Sequence, residues 1–277
     1  MMVRVDNKGF TLIELSIVLV IIGLIVGGVL VGRDMITAAE IRSAVAQVEK
    51  YQTAVNTFRT KYNGLPGDLQ TNLATGFGMV TRTSHGTGVY NANFILETTN
   101  DNVNNTSTTS PGYETTLFWR DLSFSQLINE RFNTANDGLV PALLMGEDGV
   151  QQLNNFLPRL PSLTGNYMAV FSAAGLNYYH LAGIMRISGG LYFMGYALTP
   201  QQAYAIDQKV DDGRPITGIM RGARSATILG TQCVPTASGG NGDACCGDGA
   251  GGSSNIYKTT TTDNANTKAC QLFVKFQ

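Results

Sequence analysis

The sequence is poor in charge. Only 14% of its 277 residues are Asp, Glu, Lys or Arg, and the net charge is −1. No global positive field exists to gather nucleic acid or anionic lipid, so a nucleic-acid partner is not expected. The 19 Lys and Arg still leave room for a local basic patch. Histidine is nearly absent, with His85 and His180 alone, and a histidine-based active site has few candidates. HExxH, Walker and GxSxG motifs are missing, which removes the usual signatures of zinc proteases, P-loop NTPases and serine hydrolases. Gly247, Gly249 and Gly252 match a dinucleotide fingerprint on paper, but no strand-like run precedes them and cysteines adjoin them. No cofactor is expected there.

Cysteine is absent until late in the chain. Cys233, Cys245, Cys246 and Cys270 all fall in the last fifth, in a glycine-rich stretch with little apolar sequence of its own. An even number in such a setting favours disulfides, and hence an oxidising compartment such as a periplasm. Adjacent residues strain disulfide geometry, so Cys245 and Cys246 are not expected to bond each other. Two pairings remain: Cys233 with Cys245 and Cys246 with Cys270, or the exchanged set. Zinc is the rival, and these spacings lack its CxxC pair.

What the chain does have is one long apolar run. From Leu15 to Gly32 there is no charge, and Ser16 is the only polar side chain. Counted from Phe10, the helical stretch is about 34 Å long, enough to cross a hydrocarbon core of ~30 Å. Arg4 and Lys8 precede it, while Arg33 is balanced at once by Asp34, so residues 1–9 are placed in the cytoplasm and the rest of the chain outside. A secretory signal cut near Val26-Gly27-Gly28 is the competing reading. Against it stands the continuation, where Ile41, Val45, Val48, Tyr51, Val55, Phe58 and Tyr62 form one helical face without Pro or Gly between Arg33 and Asn63. Gly64, Pro66 and Gly67 then stop the helix, Gly64 as the left-handed residue. One helix is predicted from Phe10 to about Tyr62, roughly 80 Å long.

The segment Lys8-Gly9-Phe10-Thr11-Leu12-Ile13-Glu14 followed by the apolar run resembles the amino-terminal signal of type IV pilins and type II secretion pseudopilins. The resemblance implies that a prepilin peptidase cuts after Gly9 and methylates the new amine of Phe10. The apolar helix stays on the mature protein, which is then a single-pass inner-membrane protein before joining a filament. It implies partners: other pilin-like subunits, an assembly platform protein and an ATPase. Glu14 gains a reason on physical grounds, since an acid at mid-membrane costs on the order of 3 kcal/mol and less near an end. The freed amine of Phe10 on one subunit can meet the Glu14 carboxylate of its neighbour, and leaving either charge unpaired in low dielectric is expensive. The alternative is a Glu14 that snorkels to the headgroups. The pairs Gly23 with Gly27 and Gly28 with Gly32 would let neighbouring helices approach closely. Pilus-forming relatives often carry a proline near Val31, and its absence leans toward a minor subunit or pseudopilin.

The head, residues 63–277, is predicted to be α+β, an antiparallel sheet packed on the long helix. Residues 98–112 read as an exposed loop, and Glu114 to Phe132 as one helix or two short ones, with Trp119 packed there. Tyr167–Ser172, His180–Ile187, Leu191–Leu198 and Leu272–Phe276 read as strands, with Ser188-Gly189-Gly190 as a hairpin turn. Thr199-Pro200-Gln201-Gln202 carries a capping box that opens a helix ending at Asp212-Gly213. The strings LTPQQAYAIDQKVDDGRPITG and FWRDLSFSQLINERF are similar to segments in the heads of larger prepilin-type proteins. Asp243 and Asp248, or Asp207, Asp211 and Asp212, offer oxygens to calcium, which some pseudopilins bind, but neither group follows an EF-hand pattern and solvated turns are the simpler reading. A membrane-tethered periplasmic enzyme or binding domain is the alternative function. A DNA-uptake pilin, which would need a basic patch, is the third.

Overall fold

The computed structural model describes residues 9, 11–80, 90–96, 114–132, 143–144, 153–160, 165–173, 175–188, 191–223, 245–246, 256–257, 259 and 268–277. Of the sequence readings above, those on Phe10, His85, residues 98–112, Gly189-Gly190, Cys233, Asp243, Asp248 and the glycines 247, 249 and 252 lie outside them.

Helix α1 runs from Leu12 to Tyr62, 51 residues and about 77 Å. It begins two residues later than predicted because Thr11 and Glu14 form a capping box, the Thr11 hydroxyl accepting from the Glu14 backbone N–H and the Glu14 carboxylate accepting from that of Thr11. At the other end, Asn63 takes the left-handed conformation, φ 52°, and returns its N–H to Arg59. Asn63 therefore does what Gly64 was expected to do. Gly64 instead gives room to a neighbour: a Cβ there would lie 2.5 Å from the Leu69 side chain, which would have to shift.

The turn after α1 is fastened to the head. Gly67 has φ +89° and sits so close to the carbonyl of Glu114 that a Cβ would be 2.1 Å from it. Its N–H donates to the buried Asp121 carboxylate at 2.7 Å, and the buried Asp68 carboxylate accepts from the N–H groups of Ala92 and Phe94. A short helix α2 (Thr71–Gly76) follows, then α3 (Glu114–Phe124). Helix α3 stops short of Phe132 because Gln126 adopts φ 59° and Leu127 N–H reaches back to the Leu122 carbonyl, a left-handed cap.

Among the described residues, six antiparallel strands form one sheet around a long central strand. They are β1 (Leu143–Leu144), β2 (Asn166–Ala173), β3 (Leu176–Ser188), β4 (Leu191–Gly195), β5 (Met220–Ala223) and β6 (Gln271–Lys275). Strand β3 pairs with β1, β2, β4 and β6, and β5 extends the sheet beyond β6. Strand β3 starts four residues before the predicted strand, because the β2 pairing runs from Asn166↔Gly183 on to Ala173↔Leu176. Strand β4 stops at Gly195, short of Leu198, whose backbone instead bridges Cys270. Helix α4 (Pro200–Val210) opens with the predicted capping box of Thr199 and Gln202.

Side chains alternate across the sheet. Tyr179, Leu181, Leu272 and Val274 join the main core with Phe118, Trp119 and the α1 stripe, while Phe171, Tyr178 and Phe273 form a second cluster. The second cluster encloses His180, whose ring stacks on Phe273 with centroids 4.2 Å apart. Burial pushes that imidazole down to about 3 against the opposing hydrogen bond of Gln271. It is a neutral packing residue. In the main core, Tyr51 of α1 meets Trp119 edge-on at 4.8 Å, and Trp119 in turn stacks near Tyr179. The stripe is as predicted except at Val45, which is half-buried, and Ala44 takes the fully buried place.

Candidate functional site: the amino-terminal helix

Helix α1 is one element in two environments. From Leu12 to Val31 every residue is exposed, including Leu12 at 89% and Leu24 at 72%. This is the one helix among the described residues long and apolar enough to cross a membrane. Water is a poor solvent for such a surface, and about 20 apolar residues in a helix suit a bilayer core. From Ile41 onward one face is buried in the head.

Gly9 is exposed at the foot of this helix. Glu14 points its carboxylate back over the helix start, where Oε2 accepts from the Thr11 N–H and from the Thr11 hydroxyl, both at 2.8 Å. Within a single chain, then, the acid already accepts from two donors of Thr11, the second residue past the expected cleavage site. Sequence reasoning singled out Glu14 and passed over Thr11. The signal for it was present, a Thr three residues ahead of Glu at the mouth of an apolar run.

A Cβ added at Gly23, Gly27, Gly28 or Gly32 would meet nothing within 4 Å. The fold of this chain does not require glycine at any of them, yet each weakens a helix by up to about 1 kcal/mol relative to Ala. Gly23 and Gly27 are one turn apart on one face, as are Gly28 and Gly32, which leaves two smooth strips on an exposed apolar surface.

Residues 4–30 match the family model of the prokaryotic N-terminal methylation motif. The chain carries the type IV pilin and pseudopilin signal. No curated protein and no solved structure matches it. The matched segment spans Gly9, Glu14 and most of the exposed half of α1, and it supports a pilin-like precursor with a single apolar helix compatible with a membrane anchor.

The remaining candidates lie in the head. Cys245 is bonded to Cys270, one bond of the exchanged pairing, and Cys246 is disulfide-bonded as well. Cross-links of this kind are worth roughly 2–4 kcal/mol, and here Cys245, Cys246 and Cys270 are all buried. The chain between Cys246 and Cys270 also delivers Tyr257, whose hydroxyl donates to Asp207 at 2.7 Å and whose ring fills the space over Gly222. Asp207, Asp211 and Asp212 offer carboxylate oxygens within 4.8 Å of one another. Each is engaged by the protein: Asp207 by Tyr257, Asp211 by the N–H groups of Ile219 and Met220, and Asp212 by Arg214 N–H and the Thr217 hydroxyl. Burial lifts Asp207 to about 7, with the Tyr257 hydrogen bond opposing and the charge of Asp212 adding to the rise.

Proposed function

We propose that the chain is a pilin-like structural subunit. It is inserted in the inner membrane as a precursor, trimmed after Gly9 by a prepilin peptidase and methylated at Phe10. It then assembles through α1 into a type IV pilus or type II secretion pseudopilus, most plainly as a minor subunit or pseudopilin. The observation that carries the reading is the methylation motif at residues 4–30, running without a break into an exposed apolar helix whose far half anchors a folded head. A platform protein and an ATPase would supply the work of extraction from the membrane, with the head in the periplasm until the subunit joins the filament.

The chemistry of assembly follows from Glu14. Before processing, Thr11 satisfies its carboxylate. Cleavage creates an ammonium on Phe10, the residue beside Thr11, at nearly the same depth in the bilayer. The acid and the amine of adjacent subunits neutralise each other where neither can be hydrated, and a subunit in the wrong register leaves both charges exposed to lipid. Gly23, Gly27, Gly28 and Gly32 would let the neighbouring helices close in on one another.

The test is Glu14→Ala in cells making the protein. Loss of filaments, with processed subunit retained in the membrane fraction, supports assembly through this acid. Filaments at the wild-type level would contradict it. Unchanged localisation and the lack of any filament in the wild type would favour a helix that serves only as an anchor for a head with its own activity.

A further inference from the structure

Beside the seam between α1 and the turns that follow α3, the head carries two adjoining clefts of about 500 and 290 Å³ that share Glu130, Arg131 and Phe132. Their walls combine three chemistries. The first is positive charge. Lys50 neutralises Glu130 at 2.6 Å, and it holds that carboxyl below its ordinary range although burial works to raise it. Arg131 in both clefts and Arg159 in the smaller one then stand without a salt bridge among the described residues. In a chain of net charge −1, this is a local excess of cation.

The second is an apolar plate. Phe124 lines the larger cleft and is 51% exposed, while the aromatic residues earlier in α3, Phe118 and Trp119, are fully buried. The third is unused hydrogen-bonding capacity. Gln47 spends its amide N–H groups on the Tyr51 hydroxyl and the Arg159 carbonyl, at 3.1 and 2.9 Å. Gln47 lines the smaller cleft, and its Oε1 is buried with no partner among the described residues. A buried acceptor left unsatisfied costs about 1–3 kcal/mol, and a ligand hydroxyl would remove that cost. Asn129 and Gln126 add side-chain amides to the larger cleft.

We propose that these clefts form a binding site for an acidic saccharide. An aromatic face packs against the apolar face of a sugar ring. A guanidinium fork takes a carboxylate in paired, charge-assisted hydrogen bonds, and an acceptor such as Gln47 Oε1 takes a ring hydroxyl. A uronate presents all three features on neighbouring residues of one chain. A bare phosphate would use only the arginines, and a neutral sugar would leave them idle.

The experiment uses the full chain in detergent, titrated calorimetrically with tri-galacturonate, with maltotriose and with inorganic phosphate. Saturable binding of tri-galacturonate is expected, weakened about tenfold or more in Arg131→Gln/Arg159→Gln and several-fold in Phe124→Ala, with thermal unfolding of each variant confirming the fold. Three results would overturn the proposal: no saturable tri-galacturonate binding, equal binding of maltotriose or phosphate, or tri-galacturonate affinity unchanged in the arginine variant.

Discussion

The two halves of α1 share a backbone and differ in what surrounds them. Below Gly32 the apolar residues go all the way round, and none from Leu12 to Val31 is covered. Above Ile41 they keep to one stripe, with Thr53, Asn56, Thr57 and Thr60 on the solvent side. The difference teaches that hydrophobic content alone does not say what a helix is for. Its angular distribution does: a stripe seeks a protein core, and a full cylinder seeks lipid or other cylinders. Glycine follows the same division. A Cβ at Gly23, Gly27, Gly28 or Gly32 would meet nothing, whereas just past the buried half one at Gly64 would press on Leu69 and one at Gly67 would strike the Glu114 carbonyl.

The comparison can be broken by substitutions that ought to act in one half only. Phe58 is fully buried beside Tyr62. Phe58→Ala should destabilise the head by about 3–5 kcal/mol, read as a large fall in the thermal unfolding midpoint of the detergent-solubilised chain. Leu24→Ala, by contrast, should leave that midpoint unmoved. If the two variants melt alike, the halves are not independent as described. Next in size, Leu24→Arg places a cation at mid-membrane at a cost of about 3 kcal/mol, and membrane fractionation should show it poorly inserted. Asn56→Arg, on the wet face of the other half, should fractionate and melt as the wild type does.

The smallest effect lies in α4, which the buried half of α1 contacts. Asp207 titrates near 7 in the folded head, above the ~3.9 of an unfolded chain. The folded state therefore holds the proton more tightly, and stability falls as pH rises from about 4 to about 7, then levels off. His180 works the other way, since its folded value near 3 lies below the ordinary one and its contribution is lost on acidification below about 6.5. Asp207→Asn should raise the unfolding midpoint at pH 8 by a few degrees and make little difference at pH 4. A midpoint difference that is equal at both values would show that Asp207 does not titrate in this range.

Much of this was legible in the sequence, for definite reasons. The stripe on α1 could be read because helical period is local, and the four main strands because β-rich runs between turn residues are local too. The capping box of α4 was equally plain. What escaped depends on distant partners. Strand β1 is two residues long and exists only through Ile187 and Arg186 of β3, and β5 is four residues that pair with β6 some fifty positions later. Asn63, not Gly64, takes the left-handed site, with its N–H on the Arg59 carbonyl, while Gly64 lies against the Leu69 side chain. Asp68 and Asp121, which fasten the turn after α1, are ordinary acids until backbone from other segments arrives. In the amino-terminal half, Glu14 stood out as a charge in an apolar run, while Thr11 needed the helix start to be located first.

Mass spectrometry of the protein recovered from the membrane tests the central claim most directly. The account predicts a mature chain that begins at an N-methylated Phe10 and keeps the whole of α1. An intact Met1, or a terminus created by cleavage after Gly28, would contradict it.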